Sequence, residues 1–345
     1  MEPVLTPGNR VVIAGGAGFL GSHLCAALLT RGLVVECLDD LSTGRLDNIA
    51  ALVDHQNFHF HHIDVSAPWK TDGEVAAVLH LASPASPADY RRLPLATLRA
   101  GSSGTWALLQ FAEAKKARFV LASTSEVYGD PEQHPQAENY WGHVNPVGPR
   151  AVYDEAKRFA EALTACFRRD LGVNAGILRI FNTYGPRMRP DDGRMVPTFI
   201  RQALTGKPMT INGGGEQTRS LCFVDDTVRG ILAYTAASHP GPVNIGGGTE
   251  TTVRHIAHVI RELIGSTAPL RFLPPEIDDP VRRWPDTSLA RDLLGWQPVV
   301  ALRAGLARTA EAMAAELGIA VPPSLGGNRT AQPNVAGAAG RNIQR

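Results

Sequence analysis

Tyr153 and Lys157 stand four residues apart in Ala151-Val152-Tyr153-Asp154-Glu155-Ala156-Lys157. Positions i and i+4 share one helix face, so an ammonium there can lie beside a phenol and lower its pKa from roughly 10 toward neutrality. Such a phenolate is a base for drawing a proton from an alcohol. The spacing also arises by accident on solvated helices, and it gains meaning only with a hydride acceptor nearby.

An acceptor is implied upstream. Residues 10–14 form a β-branched run suited to a buried parallel strand, and Gly15, Gly18 and Gly21 follow at once, with Phe19 and Leu20 inside the loop. A helix is expected over 22–29, stopped by Gly32. Glycines permit the tight turn and the close approach of backbone to a pyrophosphate, whose charge the helix N-terminus favours. A second strand over 33–38 ends at Asp39, where a carboxylate can accept from both adenosine ribose hydroxyls and repel a 2′-phosphate. The expected cofactor is NAD rather than NADP.

Strand and helix patterns then alternate: 58–63, 75–82, a helix over 97–116, 119–123, the Tyr153 helix, and 174–181. That order predicts an α/β fold, a Rossmann-type doubly wound parallel sheet, with the NAD-binding domain over 9–184. Segments near 221–246 are expected to complete the sheet, at 221–224 and 243–245. Residues 185–317 are richer in Pro and Gly, with a helix over 196–205 and a charged stretch over 274–286, and are expected to form mainly a smaller substrate-binding lobe. Residues 321–345 lack periodicity and are expected to be a flexible tail.

A chain of 345 residues with 44% apolar composition can bury a large core. Its net charge of +1 and lack of a basic, aromatic-interleaved stripe exclude an electrostatic case for nucleic acid or an anionic membrane. The four cysteines show no Cys-x-x-Cys spacing, and His59, His61 and His62 alternate along a strand without a second ligand cluster. No metal is expected. Reduced core cysteines, no apolar run of membrane length and no signal-like start predict a cytoplasmic protein.

Longer strings carry a family resemblance over about residues 9–317. They are His80-Leu81-Ala82-Ser83-Pro84-Ala85-Ser86-Pro87, Ala122-Ser123-Thr124-Ser125-Glu126-Val127-Tyr128-Gly129-Asp130-Pro131, Tyr140-Trp141-Gly142-His143-Val144-Asn145-Pro146 and Arg179-Ile180-Phe181-Asn182-Thr183-Tyr184-Gly185-Pro186-Arg187. Asp278-Asp279-Pro280, Pro285-Asp286 and Leu294-Gly295-Trp296 continue them. The chain resembles the nucleotide-sugar branch of the extended short-chain dehydrogenase/reductases, and within it the UDP-glucuronate decarboxylases. The resemblance implies that Tyr153 takes the sugar 4-hydroxyl proton while hydride leaves C4 for NAD, with Lys157, Thr124 and Glu126 completing the catalytic set. It implies cofactor contacts from Ser42, Thr43, Gly44, Asp64, Val65, Leu81, Ala82 and Ser83. Substrate contacts are implied for Pro84, Ser86, Arg99, Thr124, Ser125, Asn182, Arg219, Arg283 and Asp286, with Asn182, Arg219 and Arg283 on the diphosphate. A homodimer through the 97–116 helix and the Tyr153 helix is also implied. Tyr128 and Tyr140 lack a lysine four residues on, and Tyr128 reads as packing.

One string departs from this pattern. The decarboxylases typically carry His-Met-Asn-Asp-Gly-Arg after Gly-Pro-Arg-Met, whereas Arg189-Pro190-Asp191-Asp192-Gly193-Arg194 stands here, similar to UDP-glucuronate 4-epimerases. Oxidation at C4 of UDP-glucuronate creates a β-keto acid that loses CO₂ readily. A guanidinium on the leaving carboxylate would stabilise the ground state over the transition state by ~1.5 to 3 kcal/mol, a retardation of roughly 10- to 100-fold. With Arg189 as that substrate-binding cation, the expected reaction is 4-epimerisation of UDP-glucuronate to UDP-galacturonate. Glu126 argues for the alternative, decarboxylation to UDP-xylose. A catalytically silent NAD sensor is the distant alternative, disfavoured because Tyr153, Lys157 and Thr124 are all present.

Overall fold

The computed structural model describes residues 4–322 and Leu325. Apart from residues 321, 322 and Leu325, the expected tail over 321–345 lies outside them.

Strand β1 (Arg10–Ala14) is apolar and buried on both faces from Val11 onward, as a central parallel strand requires. It leads through the glycine loop into α1 (Phe19–Thr30), then β2 (Val34–Asp39) and β3 (Phe58–His62). β3 is only partly buried because it lies at the sheet edge. The chain then crosses to the other side of β1 with β4 (Ala77–His80), short helices α2 (Pro87–Arg92) and α3 (Pro94–Arg99), α4 (Thr105–Lys115), β5 (Arg118–Thr124), α5 (Ala151–Leu171) and β6 (Ala175–Ile180). All pairs are parallel, in the order β3-β2-β1-β4-β5-β6. β1 sits between β2 and β4, so the winding direction reverses there and a crevice opens at the carboxyl ends of the two strands.

Helices cover both faces. Leu24 and Leu28 of α1 join one apolar core, while Leu109 of α4 and Phe167 of α5 join Val12, Val78 and Phe119 in the other. The helix expected over 97–116 is interrupted by a π-helical turn at Ala100–Gly104. A Cβ on Gly101 would lie 2.7 Å from the Ala156 carbonyl oxygen, so this turn presses directly on α5 beside Lys157. The wider turn absorbs the close approach.

The remaining elements are β7 (Thr183–Tyr184), α6 (Met195–Leu204), β8 (Met209–Asn212), β9 (Thr218–Ser220), β10 (Cys222–Phe223), α7 (Val224–Ala236), β11 (Val243–Ile245), β12 (Glu250–Thr252), α8 (Val253–Ile264), β13 (Leu270–Leu273), β14 (Arg282–Arg283), α9 (Ser288–Leu294) and α10 (Leu302–Glu316). β11 extends the main sheet beside β6, as expected. Residues 221–224 do not join it. After β6 the chain leaves the sheet, and β10 follows β7 into a separate parallel pair, begun by the Cys222 N–H on the Asn182 carbonyl. Two small sheets, β12-β9-β14 and β13-β8, carry the polar loops that face the crevice. No helix among the described residues is long and apolar enough to cross a membrane.

Candidate active site

A cleft of about 550 Å³ lies between the strand ends and the later elements, lined by the glycine loop, Thr124, Glu126, Tyr153, Lys157, Arg219 and Arg283. Tyr153 and Lys157 are buried on the same side of α5, whose N-terminal turn faces the cleft. Tyr90 stacks on the Tyr153 ring with centroids 5.5 Å apart and planes 8° from parallel, which fixes the phenol's direction. Lys157 Nζ lies 5.9 Å from the Tyr153 ring centroid and donates to the Ala122 carbonyl at 2.9 Å.

The electrostatics differ from the expectation that lysine alone drops the phenol toward neutrality. Burial dominates and pushes Tyr153 well above its ordinary value, while the Thr124 hydroxyl, hydrogen-bonded to the phenol oxygen, pulls the other way. Burial also lowers Lys157 to about 8, opposed by Glu161. A desolvated phenolate needs more positive charge than one ammonium that already spends a hydrogen bond on Ala122.

Thr124 ends β5, and its hydroxyl accepts from the Glu126 N–H at 3.2 Å, turning Ser125 and Glu126 into the cleft. Glu126 is gripped from two sides. Arg283 of β14 meets both its oxygens through two guanidinium nitrogens, and Arg150 Nη2 donates to Oε2 at 2.8 Å. Burial alone would raise Glu126, yet Arg283 and Arg150 outweigh it and hold the carboxyl at about 2. Arg150 also reaches Asp279 at 3.5 Å, and Arg219 Nη2 pairs with Asp279 Oδ2 at 2.7 Å. Three arginines thus converge on two carboxylates in the cleft lining.

Four of the cleft's cations, Arg91, Arg150, Arg187 and Arg194, escaped the sequence reading. Arg150 precedes α5 directly, and a buried arginine at a helix N-terminus opposes the macrodipole, a signal that an acidic partner must be near. Arg187 lines the cleft with left-handed backbone (φ 70°), and its Nη1 is buried without a hydrogen-bond partner.

The groove fits NAD. A Cβ on Gly15 would fall 2.7 Å from Ala82 N, and one on Gly21 would overlap the Gly15 carbonyl, so only glycine lets this backbone fold so closely at the start of α1. Asp39 accepts from the N–H groups of Ala17 at 2.9 Å and Leu41 at 2.8 Å, fixing the carboxylate at the end of β2. A Cβ on Gly44 would lie 2.6 Å from Asp39 Oδ1, so Gly44 keeps that acid open. The unpaired guanidinium of Arg187 supplies the cation a pyrophosphate calls for. Gly18, Phe19, Leu20, Thr43, Leu81 and Ser83 line the same groove, while Ala82 contributes backbone beside Gly15.

Other expected residues lie elsewhere. Arg99 is largely exposed, outside the cleft lining, and 3.9 Å from Asp64, because α3 turns it to the outer surface. Asp286 is likewise outside, where Oδ1 accepts from Ser288 N–H at the start of α9. Ser42, Asp64, Val65 and Pro84 do not line the cleft either: Asp64 binds Ser66, and Val65 packs in the core. Ser86 lines it while capping α2, and Ser125 and Asn182 line it too. Tyr128 is packing, stacked on Tyr140 and covered by Arg179. Arg189 lines the cleft, with a partner already in place. Its Nη2 donates to Asp89 Oδ2 at 2.7 Å and its Nη1 to the Thr43 carbonyl at 3.4 Å, so the guanidinium is already neutralised, on the cofactor side.

The sequence profile of the NAD dependent epimerase/dehydratase family matches residues 11–246. This chain belongs to that family. NAD is therefore its cofactor. The enzyme is 48% identical over 301 residues to UDP-glucuronic acid decarboxylase 1 of Xenopus tropicalis, covering 87% of this chain and 71% of the relative. It is 48% identical over 299 residues to UDP-glucuronic acid decarboxylase 2 of Arabidopsis thaliana, covering 87% and 67%. Among solved structures, UDP-glucuronic acid 4-epimerase of Bacillus cereus, in complex with UDP-glucuronic acid and NAD, superposes with a TM-score of 0.80 at 30% identity, covering 89% and 99%. The fold is shared with the 4-epimerases, but the sequence stands far nearer the decarboxylases. The expectation of 4-epimerisation is overturned on that ground.

Proposed function

We propose that this NAD-dependent enzyme is a UDP-glucuronate decarboxylase that releases UDP-xylose and CO₂. The observation that carries the reading is the 48% identity to UDP-glucuronic acid decarboxylases over 87% of the chain, with Glu126 lining the cleft beside Thr124 and Tyr153.

Tyr153 accepts the 4-hydroxyl proton, steadied by the Thr124 hydroxyl and by the Tyr90 ring. NAD, which the glycine loop and Arg187 would hold, would supply the acceptor for the C4 hydride and later its donor. Lys157 adds its ammonium from the Ala122 side. Arg219, Arg283 and Asn182 line the cleft and are assigned the diphosphate end, where Arg283 must share its guanidinium between a phosphate oxygen and Glu126. The C4 ketone makes the C6 carboxylate a β-keto acid. As CO₂ leaves, the C5–C6 electron pair passes into the C4–C5 enolate, and Glu126, in the cleft lining beside Thr124, is the residue assigned to position the departing carboxylate. The enolate left behind takes one proton at C5, and Tyr153 gives its proton back to O4 as the C4 ketone is reduced, so NAD would not be consumed.

Incubation with UDP-glucuronate tests the proposal: product lighter by one CO₂ supports it, and a product of unchanged mass rejects it. The four free cysteines suit a reducing compartment, and a cytoplasmic location is part of the same proposal.

A further inference from the structure

We propose that Arg189 and Asp89 form a clasp over the cofactor groove that sets how long NAD stays bound. The segment 187–194 crosses from the β7 end to α6, lines the cleft, and comes down on α2 at two points. One is the 2.7 Å pair between Arg189 and Asp89. The other is Gly193, whose Cβ, if it had one, would lie 3.0 Å from the Ala88 Cβ.

Asp89 is built as a receiver. Ser86 Oγ donates to its Oδ2 at 2.9 Å, and Arg92 Nη2 to its Oδ1 at 3.1 Å. Burial would raise this carboxyl, but hydrogen bonds from Arg189, Ser86 and Arg92 hold it low and charged. The same two arginines reach the loop after β2: Arg92 bonds the Ser42 carbonyl at 3.3 Å and Arg189 the Thr43 carbonyl at 3.4 Å. That loop follows Asp39, the acid at the end of β2 expected to take the ribose hydroxyls. Three segments, the 42–43 loop, α2 and the 187–194 strap, are thereby joined by one charge pair, 8% and 19% exposed at its side chains. Asp191, mostly exposed, adds a weaker contact to Arg189 Nε at 3.5 Å.

The pair closes the groove that holds the pyrophosphate loop, Thr43 and Arg187. An enzyme that takes hydride and gives it back in one cycle gains by keeping NAD between turnovers. Arg189 on Asp89 serves retention, which gives the departure at position 189 a role apart from the sugar. The inference rests on NAD binding alone and not on which UDP-sugar reacts.

The full-length enzyme is loaded with NADH, chased with excess NAD, and the loss of bound-NADH fluorescence is timed without sugar, in the parent, Arg189→Ala, Asp89→Asn and the double variant. Each single variant should release roughly 10- to 100-fold faster, the range of a charge-assisted pair, and the double variant no faster than the quicker single. Arg189→His, the residue typical of decarboxylases, is the second probe should a variant fold poorly, and should also release faster. Parent-like release from the folded variants overturns the clasp. So does additive acceleration in the double variant, because the two side chains then act independently.

Discussion

Arg283 and Glu126 meet end to end, two guanidinium nitrogens against two carboxylate oxygens, and the pair joins strand β14 to the end of strand β5. One contact therefore both holds the later elements against the sheet and keeps Glu126 charged beside the cleft. Residues 157 positions apart make it.

Glu126→Gln should keep the size of the side chain while removing the charge. CO₂ release should fall roughly 10²-fold, more than NAD affinity or substrate KM changes, if Glu126 acts on the departing carboxylate. Steady-state assays of CO₂ with parallel binding measurements check this.

Tyr153→Phe should retain NAD and UDP-glucuronate binding and lose turnover by roughly 10² or more, the size of a positioned proton acceptor. The Tyr90 stack needs only the ring, so the fold should survive. Single-turnover monitoring of nicotinamide absorbance would show whether hydride transfer is the step lost.

The pH profile should report Lys157. Its pKa falls from the ordinary 10.5 to about 8 by burial, so the free enzyme loses the ammonium as pH rises through about 8. kcat/KM should decline there, and Lys157→Arg, which stays charged, should move the decline to higher pH.

Asp154 should show a stability effect of opposite kind. Burial, then repulsion from Glu126, raises it from 3.8 to about 7, and its Oδ1 is buried without a partner. A raised folded-state value means that the stability present below the unfolded value is lost as pH rises through about 7. Asp154→Asn should raise the melting temperature above pH about 7 relative to the parent, with the gain shrinking toward the ordinary carboxylate range.

Leu98, Trp106 and Phe159 are exposed apolar side chains on α3, α4 and α5, the helices expected to join two copies. Light scattering at micromolar concentration should give the mass of a dimer, and Trp106→Glu should shift it toward monomer.

The glycine loop, the acid at the end of β2 and the Tyr153 helix were legible because each depends on local backbone and spacing. The π turn at Ala100–Gly104 was not, since it answers to the Ala156 carbonyl on another helix. Arg189 shows the sharper limit. Its string told what residue stood there, but its partner Asp89 lies 100 positions away, and only the fold brings the two together. Arg150 and Asp279 were missed for the same reason, because convergence of charge from separate elements leaves no periodic trace.

The most direct test is the product formed from UDP-glucuronate by the NAD-loaded enzyme in deuterated water, read by mass spectrometry and NMR. The account predicts UDP-xylose, lighter by one CO₂ and carrying one solvent deuterium at C5, with no net change in NAD. Recovery of a UDP-hexuronate of unchanged mass, inverted at C4 and without deuterium at C5, would contradict it.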